Sequence, residues 1–322
     1  MPPASGRHRP FLLIALVLAL AQSGPAALTG TMGFRPTTGR YFIYGLVPLS
    51  STMDAVGPMA RDVRDLALMD AVLTGAQDPE LEPVALGELR IGVPSVLLRE
   101  GLAFPVEWHF QRMLRRLDRA GVTLVEAEMP GLGMDSLLAY QAVTFFETAI
   151  ELTAFLQEND TGLSSVEELV SMLASPSVIV LFEIARENPI TEEVYLDTLE
   201  NGMPALRQLY LDYLDSNDLD AVIYPTVPMP ALPIGQEVFE IDGRQVSTFE
   251  VFLRNMHYAP LMGAPAVTLP IGQTREQLPV GGMDVMGAPG ADRRTLAVAH
   301  AIAQVLPRIR APCELEPRPY QF

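Results

Sequence analysis

All 22 cationic side chains among these 322 residues are arginines; lysine does not occur. A guanidinium keeps its proton at any biological pH, so it cannot act as the neutral amine base that a deprotonated lysine supplies. Chemistry that needs a lysine base is closed to this chain. Four histidines remain as nitrogen bases, His8, His109, His257 and His300, and no His-x-x-x-His or Cys-x-x-Cys spacing gathers them for a metal. His109 and His300 fall in helical patterns as surface or boundary residues. His257 lies in Arg254-Asn-Met-His-Tyr-Ala-Pro260, just ahead of an apolar strand, where it can line a pocket at a strand edge. The lone Cys313 excludes an internal disulfide framework, and its place near a proline-rich terminus suits a nucleophile poorly. Gly-x-Ser-x-Gly, Gly-x-x-x-x-Gly-Lys and Gly-x-Gly-x-x-Gly are all missing. The pairs Glu167-Glu168 and Glu192-Glu193 sit on solvated helix faces, and Met53, Met59 and Met69 read as core filler. The residues imply neither a metal nor a cofactor.

These groups must be held by elements that the pattern lays out in order. Gly30 to Leu49 is a series of tight turns. Met59 to Leu73 has helical spacing, with Gly75 as its stop. Leu89–Val93 and Val122–Val125 read as strands around a helix from Pro105 to Ala120, the order of a βαβ unit with parallel strands. From Leu137 to Leu214 the period is helical, broken at 159–164, Pro176 and Pro189; this suggests a covering helical layer. Asp220–Tyr224, Ala264–Leu269 and Leu278–Met286 are buried-strand patterns, and Asp292 is placed to cap a last helix running to about Val305.

At 322 residues with 49% apolar content, the chain has ample material for a packed core. Its net charge of −17 repels phosphate, which disfavours nucleic acid and acidic membrane surfaces as partners. Arg7 and Arg9 precede an apolar run, Phe11 to Ala21, of signal-peptide length and too short to span a bilayer comfortably. From Pro25 onward, nevertheless, the chain looks like the interior of a domain.

The stretch Ala26-Ala-Leu-Thr-Gly-Thr-Met-Gly-Phe-Arg-Pro-Thr-Thr-Gly-Arg-Tyr41 resembles the amidase signature family. The likeness continues through Val47–Asp65, Ile223-Tyr-Pro-Thr-Val-Pro-Met-Pro-Ala231, Gly263–Gly272, Leu278-Pro-Val-Gly281 and the Asp292-led helix. Within that family the chain is most similar to indoleacetamide and mandelamide hydrolases. The resemblance implies an α/β fold, a mixed β-sheet surrounded by α-helices but lacking its N-terminal part. It also implies hydrolysis of a small, aryl-type carboxylic amide by acyl transfer through a serine. A second serine, in a cis peptide, and a neutral lysine would relay the proton. Backbone amides of a glycine-rich turn would form the oxyanion hole.

The family places that machinery upstream of Gly30, with the nucleophile in a Gly-Gly-Ser turn. Here Ala21 falls at the nucleophile position, and Ser23 is two residues out of register. About 150 residues of the usual domain, central strands included, have no counterpart. The resemblance therefore assigns no catalytic residue and predicts little or no amidase activity, with a catalytically dead binding or interaction protein as the alternative. The helical stretch is where the family builds its substrate pocket, so Tyr140, Phe145, Phe146 and His257 are the candidate substrate-binding residues. Residues 1–24 read as a signal-like or out-of-frame segment, and 25–322 as the C-terminal portion of one amidase domain. The expected partner is a small amide, with no nucleic acid and no stable membrane association unless residues 11–21 act as a signal or anchor. A homo-oligomer stays open. A cytoplasmic location is expected, with export through residues 7–21 as the alternative, and exposed sheet edges imply poor solubility.

Overall fold

The computed structural model of the chain describes residues 23–307 and 309, apart from 95, 100, 132, 160, 164 and 242. The signal-like segment, His8, Ala21 and Cys313 lie outside the described residues. In chain order the strands are β1 Met32–Arg35, β2 Met59–Ala60, β3 Arg90–Gly92, β4 Thr123–Val125, β5 Ala221–Pro225, β6 Val238–Ile241, β7 Arg244–Ser247, β8 Ala266–Leu269 and β9 Met283–Met286. The first helices are α1 Ser23–Thr29, α2 Val63–Thr74, α3 Val96–Arg99, α4 Phe104–Arg119, α5 Met134–Glu158 and α6 Val166–Ser171. They are followed by α7 Pro176–Glu187, α8 Glu192–Asp197, α9 Met203–Ser216, α10 Thr248–Leu253, α11 Tyr258–Met262 and α12 Asp292–Ala303.

Seven strands form one mixed sheet in the order β2-β1-β8-β9-β5-β3-β4, and β6 and β7 make a separate hairpin. The expected βαβ unit is present: β3, α4 and β4 follow one another, with Arg90 beside Thr123 in parallel register, and β5 joins β3 in parallel on the other side. The remaining pairings of the large sheet are antiparallel.

Strand alternation divides the core between the two faces of the sheet. Along β5, Ala221 and Ile223 point into one cluster, with α2, α4 and α12, while Val222 and Tyr224 point into the other, with α5, α9 and α11. In α4, Phe110, Met113, Leu114 and Leu117 form a buried helical stripe in one cluster with Leu89, Ile91 and Val122 at β3 and β4, while Val106 packs with Met229 and Val280. The result is an α/β/α sandwich, the mixed sheet flanked by helices that the resemblance implies.

Two boundaries differ from the sequence reading. Helix α2 starts at Val63 rather than near Met59, because Met59 and Ala60 pair with β1 and the Asp62 side chain accepts from the Arg64 N–H at 2.8 Å as the cap. Asp292 does not cap α12. It is the first helical residue, and its carboxylate instead accepts from the Thr37 N–H at 2.8 Å and the Thr37 hydroxyl at 2.6 Å. A donor pair 255 residues away in sequence outcompetes the local cap. Nearby, the buried Asp70 of α2 accepts from Nε and Nη2 of Arg40, at 2.7 and 2.8 Å, and from the Tyr41 hydroxyl at 2.6 Å, which fixes the turns after β1 against the helical face.

The stretch from 137 to 214 is helical with breaks where expected. Its middle part is unusual in that none of the residues of α6, α7 or α8 is buried. No helix among the described residues is long and apolar enough to cross a membrane.

Candidate functional site

The short helix α1 carries the beginning of the family-like sequence and packs at one end of the sheet. A Cβ on Gly24 would stand 2.9 Å from the Met256 sulfur, and one on Gly282 would stand 2.9 Å from the Ala27 Cβ. Glycine is needed at 282, where the Ala27 backbone lies 3.2 Å behind, whereas at 24 the neighbour is the flexible tip of Met256. Gly281 and Gly282 have φ of 55° and 65°, and this turn accepts from the Val227 N–H at 3.0 Å and the Thr226 N–H at 3.3 Å. The Asn255 amide, 1% exposed, donates to the carbonyls of Leu98 and Pro225 at 3.1 and 2.8 Å. Strand β5, α3 and the segment before α11 are thus clamped around the start of α1.

Against this end lies an aromatic wall. Tyr140 of α5 faces His257 at 5.7 Å between ring centroids, and His257 lies 4.0 Å from Tyr258. Ala27, Tyr140, Met256 and Tyr258 belong to one continuous core. His257 is 4% exposed, and burial depresses its pKa to about 4, so the imidazole is neutral. Its Nε2 is 3.4 Å from the Ser136 hydroxyl, which donates to the Gly133 carbonyl at 2.8 Å. At 3.4 Å the Ser136–His257 contact is long for a nucleophile and base, and the hydroxyl has the Gly133 carbonyl as its nearer acceptor. The buried His257 Nδ1 and Tyr140 hydroxyl make no hydrogen bond of good geometry: the imidazole stands beside the Arg254 backbone and the phenol beside Thr144. Burial pushes the Tyr140 phenol up to about 12, so it too is neutral.

Beneath Tyr140 the buried Arg35 donates to the Met53 carbonyl at 2.9 Å and the Thr38 hydroxyl at 3.0 Å. Burial lowers its pKa to about 10, opposed by Tyr140 and Asp54, so it remains a cation. Two turns further along α5 the buried Glu147 accepts from the hydroxyls of Ser50, Thr52 and Tyr195, the last at 2.8 Å. This carboxylate ties the 50–54 turn and α8 to α5.

Tyr140 and His257, named from sequence, come together. Phe146 is half-buried elsewhere, stacked on Tyr195 at 4.1 Å and 15° between α5 and α8. Phe145 is half-buried on the same helix. Ser136, Tyr258 and Glu147 were missed by the sequence reading. The signal for Glu147 was present: Tyr140, Thr144, Glu147 and Glu151 recur at one-turn intervals, which puts a carboxylate on the buried side of an apolar helix. His109, by contrast, packs over the Gly272 backbone, with Nδ1 3.3 Å from the Ile271 carbonyl, a structural contact at the sheet end. The described residues contain no group of three His, Cys, Asp or Glu side chains placed to hold a metal. Chemically the wall offers ring faces, a neutral acceptor nitrogen and hydroxyls.

Comparison with known proteins bears on the family and the fold. A family model described as Amidase matches residues 24–296. The chain is 33% identical over 284 residues to an indoleacetamide hydrolase of Agrobacterium vitis, covering 88% of this chain and 60% of that protein. It is 33% identical over 315 residues to a mandelamide hydrolase of Pseudomonas putida, covering 92% and 60%. The chain thus spans about 60% of the length of these curated relatives. Among solved structures, one described as an amidase superposes with a TM-score of 0.73 at 28% identity, over 90% of this chain and 61% of its own. A 6-aminohexanoate cyclic dimer hydrolase complexed with substrate shares the fold, with a TM-score of 0.70 at 21% identity over 91% and 64%. The match over residues 24–296 shows that the chain belongs to the amidase signature family.

Proposed function

We propose that this chain is the substrate-holding part of an amidase-type hydrolase for small aryl amides, and that alone it binds such amides without hydrolysing them. The observation that carries this reading is the meeting of the family-matched α1 with the Tyr140–His257 wall in one core, in a chain that has no lysine. Acyl transfer through a serine needs a base that is neutral and within reach of the nucleophile. The resemblance gives that role to a lysine, and arginine cannot take it. His257 is neutral, but the serine next to it lies 3.4 Å away and has the Gly133 carbonyl as its nearer acceptor.

Binding needs less. The faces of Tyr140 and His257 suit a planar aryl group, and the buried His257 Nδ1 and Tyr140 hydroxyl can each pair with a ligand N–H or hydroxyl that would otherwise leave them unsatisfied. The names of the relatives, indoleacetamide and mandelamide hydrolases, supply the substrate class.

Calorimetric titration of the purified chain with indoleacetamide and mandelamide, run beside an ammonia-release assay and a full-length relative, tests both parts. Binding that weakens in Tyr140→Phe and His257→Ala, without ammonia release, is expected. Turnover that survives removal of contaminating host amidases refutes the non-catalytic part. Failure to bind either amide refutes the substrate assignment.

A further inference from the structure

The outer face of α4 carries an unusual row. At 100° per residue, Phe104, Arg115, Trp108, Arg119 and Arg112 fall within an arc of about 80°, and all five are exposed. Phe104 is 76% and Trp108 45% exposed, and the Arg112 guanidinium lies 5.4 Å over the Trp108 ring. The ion pairs among the described residues use Arg40, Arg90 and Arg294, so the three arginines of this row have no carboxylate partner there. A concentrated cationic and aromatic stripe stands out on a chain whose net charge is −17.

The helical layer α6–α8 carries the complement. Glu167, Glu168, Glu183, Glu187, Glu192 and Glu193 are all exposed on it, against the single cation Arg186. On α7 the residues Glu183, Glu187, Val180 and Ile184 share an arc of about 100°, with Val180 47% and Ile184 38% exposed. The segment Val178-Ile-Val-Leu-Phe182 is apolar, yet none of α7 is buried. Val178, Ile179, Leu181 and Phe182 are half-buried, whereas Val180 and Ile184 face outward, and covering those two removes apolar area from water.

We propose that the chain associates with a second copy of itself, the Phe104–Arg119 stripe of one copy seating on the acidic and apolar face of α7 in the other. Aromatic rings meet Val180 and Ile184, and Arg112, Arg115 and Arg119 meet Glu183 and Glu187. The two patches differ, so the contact is heterologous, and repeated head to tail it builds a ring or an open chain of copies.

Trp108 is the only tryptophan in the chain, so its emission reports on the stripe directly. Sedimentation velocity and Trp108 emission are followed as protein concentration rises through the micromolar range, at low and high salt. Association with a blue shift, weakened by salt, is expected. Reversing one side, in R112E/R115E/R119E or in E183R/E187R, is expected to raise the dissociation constant at least about tenfold, and the two reversed chains mixed together are expected to pair again. A wild-type chain that stays monomeric, or associates without salt dependence or any change in Trp108 emission, overturns the proposal. So do folded one-sided variants that associate as before, or folded variants that fail to pair on mixing. If a variant does not fold, the wild-type salt and emission responses decide the matter.

Discussion

Replacing Asp284 by asparagine should stabilise the fold above pH 6 and reveal a pH dependence that the native chain hides. Asp284 is 1% exposed on β9, and its Oδ1 accepts from the hydroxyls of Thr226 at 2.9 Å and Thr268 at 2.6 Å. Burial outweighs those hydrogen bonds and raises its pKa from 3.8 to about 6. Between these values the folded chain holds a proton that the unfolded chain has lost. Stability therefore falls as pH rises through that window, by about 1.4 kcal/mol per pH unit and about 3 kcal/mol in all.

His257 does the opposite. Its pKa is depressed by burial from 6.5 to about 4, so the unfolded chain binds the extra proton and stability falls as pH drops through that range, again by about 3 kcal/mol. Where the windows overlap, the two slopes cancel. Asparagine keeps an acceptor for both threonines and removes the charge. The variant should gain about 1–3 kcal/mol at neutral pH, the lower figure allowing for an unpaired amide N–H. Relative to the native chain its stability should climb by about 1.4 kcal/mol per unit between pH 4 and 6. Urea unfolding at a series of pH values measures both. Parallel pH curves for the two proteins, or an asparagine variant less stable than native at neutral pH, would refute the reasoning. His257→Gln should tilt the curve the other way.

Glu147→Ala leaves the hydroxyls of Ser50, Thr52 and Tyr195 without their shared acceptor and should cost about 3 kcal/mol, with faster amide exchange in α8, measured by denaturation and hydrogen exchange. Glu147→Gln should recover part of this. Gly282→Ala combines a φ of 65° with a contact 2.9 Å from Ala27 and should cost at least about 2 kcal/mol, read as a lowered urea midpoint.

Much of the frame was legible in the residues. The apolar runs at Asp220–Tyr224 and Ala264–Leu269 became β5 and β8 within a residue or two, because a strand buried on both faces shows itself as continuous hydrophobicity. Gly75 ended α2 in the left-handed conformation expected of it, with φ of 73°. Asp292 misled for a physical reason. A capping residue is recognised by local sequence, but its carboxylate goes to the stronger donors, and the Thr37 pair that claims it comes from the other end of the chain.

The same division runs through the site. Composition alone determined that no lysine base exists in these residues, and the ordered motifs determined the family, since both are properties of residue identity and sequence order. Whether Tyr140 would meet His257, 117 positions later, depended on how α5 and the segment before α11 pack on one face of the sheet. Residue order does not encode that distance. Burial decided the rest: the neutrality of His257, the raised pKa of Asp284 and the gathering of three hydroxyls on Glu147 are consequences of desolvation and contact. These arise only when the folded layers close around the side chains.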